Sequence, residues 1–372
     1  TQFLNVTVCL GGGLTALLAG GYLHEHALER GEFYALVVLS TFGAQVLAAA
    51  SDLLTVFIGL ETMSLGVYCM VAFRRGSPRA AEGGLKYFLL GSFAAAILLF
   101  GAALLYGATG HTDFVGIGES VRSGDADARL IILGMLMLLT GLLFKVSAVP
   151  FHMWTPDAYE GAVTPATTFM SVVVKAAAFA SMLRLLLTCF SDSLLANVHS
   201  GWPGVLIPIS AVTMVYGNLA ASQQASVKRM LAYSSIAHAG YILVGVVALF
   251  SSDPNVRQQS VSGVLFYLLA YTVSNVLAFG SLIAIGSHGK EAVSYEDLAG
   301  VGRRHPLVAL PFVIGVLSLM GFPPTAGFLG KWYVFSAAVG AGAPLLWLVV
   351  LGVLTSVVGA YYYLRVIVYM FM

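Results

Sequence analysis

Four ionisable residues, Glu61, Lys145, Lys175 and Lys331, stand inside long apolar stretches. A charge at bilayer depth costs from about 2.5 kcal/mol upward, so it persists where protein or trapped water surrounds it. Lysine titrates near a pKa of about 10.4 in water, and desolvation can lower that by several units, so a buried lysine can exchange a proton near neutral pH. A neighbouring carboxylate opposes the shift. Moving its influence nearer or farther would load and unload the lysine, a proton switch that needs no redox group. Glu61 is the carboxylate placed near the middle of an apolar helix, and it needs a cation or a proton as partner. His152 and His238 could pass protons between such lysines, or could be hydrogen-bonded structural residues.

These residues must be positioned by membrane helices. The 372 residues are 59% hydrophobic and only 9% charged, against about 25% charged in a soluble domain. Apolar runs bounded by charge, Gly and Pro predict eleven helices near 4–23, 32–50, 52–73, 80–107, 130–148, 164–190, 202–221, 229–250, 260–286, 306–341 and 345–370. The fold class is therefore an all-α polytopic membrane protein. The chain opens at Thr1 without an initiator Met and stops at Met372 just after an apolar helix, so it reads as a partial chain.

Loop charges support that count. Ten of the eighteen Lys and Arg residues fall in one alternate set of loops: Arg30, Arg74, Arg75, Arg79, Lys228, Arg229, Lys290, Arg303, Arg304 and Arg365. Only Arg122, Arg129 and Arg257 fall in the other, which makes the first set cytoplasmic. The remaining five, Lys86, Lys145, Lys175, Arg184 and Lys331, lie within helices. Arg184, about 9 Å from its helix end, can snorkel, and Lys86 is near enough to the cytoplasmic side to do the same. Lys175, roughly 16 Å deep, cannot do so comfortably.

Lys145 lies in Gly141-Leu-Leu-Phe-Lys-Val-Ser-Ala-Val-Pro150, and Lys331 follows Gly321-Phe-Pro-Pro-Thr-Ala-Gly-Phe-Leu-Gly330. Proline removes a backbone donor and glycine permits unwinding, so each segment should be two half-helices around an irregular middle. Such backbone survives at membrane depth only when buried or lining a wet cavity. A plain proline kink is the alternative; the conjunction with a buried lysine favours an ion pathway. The broken segments, 130–163 and 306–341, are the fifth and tenth helices. A unit with an odd number of spans inverts its next copy, which predicts a peripheral helix and loop at 1–30, a five-helix repeat at 31–190, a connecting loop at 191–201 and a second five-helix repeat at 202–372.

Several classes are excluded. Net charge +1 offers no basic face for nucleic acid. Cys9, Cys69 and Cys189 are odd in number and widely spaced, which predicts neither a disulfide framework nor a metal site. A phosphate loop at Gly327 to Lys331 fails, because Thr325 stands where its first glycine belongs and Trp332 replaces the Ser or Thr.

The stretch Phe151-His-Met-Trp-Thr-Pro-Asp-Ala-Tyr-Glu-Gly-Ala-Val-Thr-Pro165, with Val227-Lys-Arg-Met-Leu-Ala-Tyr-Ser-Ser-Ile-Ala-His238 and Gly321 to Trp332, resembles the antiporter-like proton-channel subunits of respiratory complex I. The likeness extends over essentially the whole chain, through Leu85-Lys-Tyr-Phe-Leu-Leu90, Gly217-Asn-Leu219 and Tyr361-Tyr-Tyr-Leu-Arg365. It implies that Glu61 and Lys145 are the family's paired glutamate and lysine, Lys175 its bridging lysine and Lys331 its terminal residue. Lysine at 331 is similar to the N and L types, since M types carry glutamate there, and the motifs together look like the N type. The resemblance also implies that Lys86, His152 and His238 join the family's central hydrophilic axis. Fourteen helices are usual in the family, so two before and one after this chain are implied. Val163 departs from the family's Gly-Ala-Pro-Thr-Pro and leaves Pro165 alone to start the next helix.

The resemblance implies a proton-translocating subunit of a multi-pass membrane complex, in a bacterial inner membrane or an energy-transducing organelle membrane. It implies no cofactor in this chain, with FMN, iron-sulfur clusters and quinone in other subunits, and as partners the bilayer and other membrane-arm subunits, antiporter-like ones included. The rival readings are a cation/proton antiporter subunit, a purely structural membrane subunit, and the equivalent subunit of a plastoquinone-reducing complex.

Overall fold

The computed structural model describes residues 1–124, 126–192, 195–286 and 289–372. Its helices are α1 (Gln2–Glu25), α2 (Gly31–Ala49), α3 (Leu53–Val71), α4 (Pro78–Thr109), α5 (Phe114–Ser123), α6 (Ala128–Val146), α7 (Thr155–Gly161), α8 (Thr164–Phe169), α9 (Lys175–Thr188), α10 (Trp202–Ser222), α11 (Val227–Val247), α12 (Pro254–Ile285), α13 (Tyr295–Leu298), α14 (Val301–Arg304), α15 (Pro306–Met320), α16 (Ala326–Gly340) and α17 (Ala343–Phe371). Among the described residues ten helices are long and apolar enough to cross a membrane, or eleven if the sharply bent pair Tyr295–Arg304 and Pro306–Met320 counts as one. The chain is a multi-pass integral membrane protein.

Caps and breakers set the ends. Asp52 accepts from Thr55 N at 2.8 Å to start α3, and Ser226 caps α11 through Arg229 N at 3.2 Å. Pro78, Pro203, Pro254, Pro306 and Pro344 all stand in first turns, where a missing N–H costs nothing. The predicted break after Lys145 is present: α6 stops at Val146, Ser147 takes φ +65°, and α7 resumes at Thr155. The predicted 306–341 segment is likewise two helices, parted at residues 321–325. Each has 15 residues, about 22 Å and short of a roughly 30 Å hydrocarbon core, so neither half spans it alone.

One feature departs from the predicted 164–190 helix. A π-helical turn, Met170–Val174, sits between α8 and α9 and ends at Lys175. Such turns leave the regular ladder locally rearranged and recur at functional sites.

Helices α2, α3, α4, α6 and α7 pack as one group and α10, α11, α12, α15, α16 and α17 as another. Where the groups meet lie the two most enclosed spans, Thr164–Thr188 between them and Val227–Phe250 on the inner side of the second, where α11 touches α7, each with 89% of its apolar window buried. They carry Lys175 and His238. Helix α1 packs on both groups, against α2 and α12.

Close backbone approach holds α10 to α11. A Cβ on Gly217 would lie 2.6 Å from Ala237 N, and one on Gly240 would lie 2.8 Å from Met214 N. Main chain cannot step aside as a side chain can. Gly217→Val should therefore lower the amount of folded subunit in membranes severalfold, scored by immunoblot against an exposed change such as Leu307→Ala; equal amounts would show that the helices separate freely.

Candidate functional site

Lys145 is one residue from the end of α6, where the carbonyl pole of the helix favours a cation. Trp154 Nε1 donates to Phe144 O at 3.1 Å, and Thr155 Oγ1 donates to Ser147 Oγ at 2.7 Å, which fixes the break. Lys145 Nζ donates to Tyr68 Oη at 3.1 Å and lies 5.2, 5.4 and 5.6 Å from the rings of Tyr68, Tyr87 and Phe144. Those faces are attractive to an ammonium. Glu61 lies two turns into α3, and among the described residues it makes no ion-pair contact with Lys145. Its Oε1 is buried with no hydrogen-bond partner among them. The Lys145 amine is held by the Tyr68 hydroxyl and three aromatic rings, with no carboxylate in contact among the described residues.

Lys175, 1% exposed, donates to Ser235 O, and its Nζ lies 5.9 Å from the Tyr271 ring. The Ser235 hydroxyl receives Tyr271 Oη at 2.9 Å and meets Tyr159 Oη at 3.3 Å. One turn on, His238 Nδ1 meets Tyr267 Oη at 2.7 Å and its Nε2 meets Tyr363 Oη at 3.1 Å, while Tyr363 also bonds Ser234. Helical spacing makes this: Ser234, His238 and Tyr241 share a face of α11, and Tyr267 and Tyr271 share one of α12. Each hydroxyl can give one hydrogen bond and accept another, and neutral imidazole donates at one nitrogen and accepts at the other.

Lys145 lies at the end of the half-helix before its break, whereas Lys331 lies in α16, the half after its own. Its Nζ donates to Met320 O, at the carbonyl pole of α15, at 3.0 Å, and to Ser356 Oγ at 3.2 Å. It sits 4.6 Å from the Tyr241 ring. Tyr241 Oη donates to Thr355 and accepts from Asn218 Nδ2, and Asn218 Oδ1 accepts from Tyr362. A largely apolar cleft of about 740 Å³, walled by Phe322, Phe328, Trp332 and Val353, reaches Lys331 from one side.

The other two singled-out residues lie apart from this chain of groups. His152 is half-buried in the α6–α7 break, edge-on to Tyr216 with ring centroids 4.6 Å apart, and its Nδ1 has no partner among the described residues. Lys86 has a 43% exposed side chain and pairs with Glu82 at 2.5 Å and Asp157 at 2.8 Å. Asp157 and Glu160 both accept from Arg229, at 3.0 and 2.8 Å. The structure thus places Lys86 in a charged cluster where α4, α7 and α11 meet, on the side with the Lys- and Arg-rich loops.

Sequence reasoning missed two things here. Lys228, counted among loop charges, is 1% exposed and donates to Ala162 O at 2.5 Å and Glu291 at 3.1 Å. The tyrosines around His238 and Ser235 were not singled out; the Tyr267–Tyr271 spacing, set beside Ser234 and His238, was the available signal. Among the described residues no group of His, Cys, Asp and Glu could hold a metal ion.

A sequence family described as NADH:quinone oxidoreductase/Mrp antiporter, transmembrane, matches residues 50–359. The chain belongs to that family. Similar to it is NADH-quinone oxidoreductase subunit N 1 of Sorangium cellulosum, 60% identical over 376 aligned positions that take in all of this chain and 73% of that protein. A chain of the Thermus thermophilus respiratory complex I superposes with a TM-score of 0.81 at 39% identity, over the whole of this chain and 76% of that one. A chain of the Mrp complex from a Dietzia species gives a TM-score of 0.86 at 24% identity, over all of this chain and 66% of that one, a likeness of fold alone. In this antiporter family, then, the buried lysines stand on a shared scaffold.

Proposed function

We propose that the chain is the N-type, antiporter-like proton-translocating membrane subunit of an NADH:quinone oxidoreductase, working by charge displacement along Glu61, Lys145, Lys175 and Lys331. The observation that carries the reading is that Lys145, Lys175 and Lys331, at most 8% exposed, have no carboxylate in ion-pair contact among the described residues. Each is held by hydroxyl or carbonyl oxygens instead. A structural ammonium at membrane depth needs a counter-ion. A hydroxyl accepts from an ammonium and donates to a neutral amine, so the same contact serves both forms of an exchanging lysine.

In this reading a signal from quinone reduction elsewhere in the complex moves Glu61 toward or away from Lys145. Lys145 then changes its hold on a proton, and Lys175 exchanges with Lys331 through Ser235, Tyr271, His238 and Tyr363. His152 lines the irregular backbone beside Lys145, and Lys86 belongs to the cytoplasmic rim. Residues 31–190 and 202–372 act as inverted repeats, each breaking one helix at a lysine, and 1–30 bridges them. FMN, iron-sulfur clusters and quinone belong to partner subunits, and the complex to a bacterial inner membrane or an energy-transducing organelle membrane. The identity with the Sorangium protein along the whole chain supports the N-type assignment.

Membrane vesicles discriminate this from a free-standing antiporter. Proton uptake should depend on NADH and be indifferent to whether the bath holds Na⁺ or K⁺. Exchange driven by a Na⁺ or K⁺ gradient in vesicles without NADH would replace this reading with the antiporter one.

A further inference from the structure

A second ionisable cluster lies at the cytoplasmic end of the same helices, outside the Glu61–Lys331 axis. Glu291, in the loop between α12 and α13, has a 16% exposed side chain and accepts from Lys228 at 3.1 Å. Tyr22 Oη, from α1, also bonds Glu291 and receives Arg74 Nη2 at 3.3 Å. Glu291 forms part of the wall of a pocket of about 390 Å³ that also includes Arg74, Arg79, Glu160 and Lys290. Two elements bond this carboxylate, α1 through Tyr22 and α11 through Lys228, while the α3–α4 loop with Arg74 and α7 with Glu160 line the same pocket. On its inner side Lys228 Nζ bonds Ala162 O, at the α7–α8 junction that leads to the π turn and Lys175. Ser235, whose carbonyl receives Lys175, is seven residues along α11 from Lys228, about 10 Å.

Resting on the function proposed above, we propose that Glu291 is the proton-admitting carboxylate of this subunit, and that its ion pair with Lys228 is the closed state of the entrance. Burial pushes the Glu291 carboxyl up, but the Lys228 ammonium, the Tyr22 hydroxyl and the Arg74 guanidinium outweigh it and hold the group down at about 2. Paired, Glu291 stays a carboxylate and refuses protons at any physiological pH. When Lys228 withdraws, burial acts without its main opponent, and the carboxylate takes a proton from hydronium in the pocket and leaves water. The carboxylic acid then gives that proton, by way of water and the Tyr159 and Ser235 hydroxyls, to a neutral Lys175 amine. Glu291 returns to carboxylate and Lys175 becomes ammonium, so charge and protons balance. The opposition of burial and a movable cation is the device expected for Glu61 and Lys145, used here at the mouth.

The test uses inverted membrane vesicles, whose outer face is the cytoplasmic one, with assembly of the intact complex checked. NADH-driven quinone reduction and proton uptake are followed from pH 6.5 to 8.5 for the parent, Glu291→Gln, Glu291→Asp and Lys175→Met, an interval spanning about a hundredfold in proton supply. Glu291→Gln should slow both rates by at least about threefold, the deficit should widen as pH rises and protons become scarce, and Glu291→Asp should recover at least half the loss. A merely structural role would give one deficit at every pH. Normal rates in Glu291→Gln, or a pH-independent deficit, with Lys175→Met impaired, overturn the entrance and leave the pump. Normal rates in Lys175→Met overturn the pump reading itself. If Glu291→Gln does not assemble, Glu291→Asp decides: its rate–pH curve should shift, and an unchanged curve overturns the proposal.

Discussion

In membranes carrying Lys145→Ala within an intact complex, NADH-driven quinone reduction and proton uptake should both fall to about a tenth or less, a loss of at least ~1.4 kcal/mol of coupling expressed in the barrier. The expectation follows from the separation of Glu61 and Lys145. Each has a buried charge-bearing atom without an ionic partner, so the pair responds to whatever brings the two together or parts them. Removing the amine leaves Glu61 with nothing to act on and empties the space among Tyr68, Tyr87 and Phe144. Both rates should fall together because in a tightly coupled machine electron transfer waits for the charge movement. Lys145→Met, which fills more of that space than alanine, should be as inactive as Lys145→Ala, since packing is not what is lost. Normal rates in either assembled variant would favour a space-filling role for the chain. Normal quinone reduction with lost proton uptake would show the two steps to be separable and would overturn tight coupling at this residue.

What the sequence discloses and what it hides follow from how each signal is encoded. The spans are legible because charge is forbidden across about twenty residues, so loops announce themselves. The breaks beside Lys145 and Lys331 are legible because proline and glycine act locally. The three deep lysines and Glu61 are legible by depth alone. Partners are another matter, since tertiary packing chooses them. Nothing near Lys228 in the sequence tells that α1 and the loop before α13 will cover it, so it reads as an ordinary loop charge. Lys86 meets Asp157 across 71 residues of chain, and only the docking of α4 on α7 makes the contact. The π turn before Lys175 has no compositional mark, since Met170-Ser-Val-Val-Val174 would serve equally in a regular helix. Tyrosines are ambiguous because each has an apolar ring and a polar tip, and in this chain the tips bond His238 and the Ser235 hydroxyl while the Tyr241 ring faces Lys331.

Lys175 permits a sharper question than deletion, namely whether its position needs a cation or a group that can release one proton and take another. Arginine keeps the positive charge but remains protonated in proteins, whereas methionine matches much of the lysine stem and carries no charge. If Lys175 is a structural cation, Lys175→Arg should restore activity wherever it assembles and Lys175→Met should fail. If it exchanges protons, both should lower NADH-driven proton uptake by about tenfold or more, since neither can pass a proton to the Ser235, Tyr271 and His238 groups beside it. The enclosure of the site makes the arginine larger than its space, so the comparison needs a control that isolates bulk. Ala177→Leu, a change at a fully buried neighbour on α9, adds volume without touching a titratable group. Loss in Lys175→Arg with activity kept in assembled Ala177→Leu assigns the defect to proton exchange. Activity retained in Lys175→Arg would remove Lys175 from the proton path and make it a fixed charge, leaving Lys145 and Lys331 to be joined by hydroxyls and His238 alone.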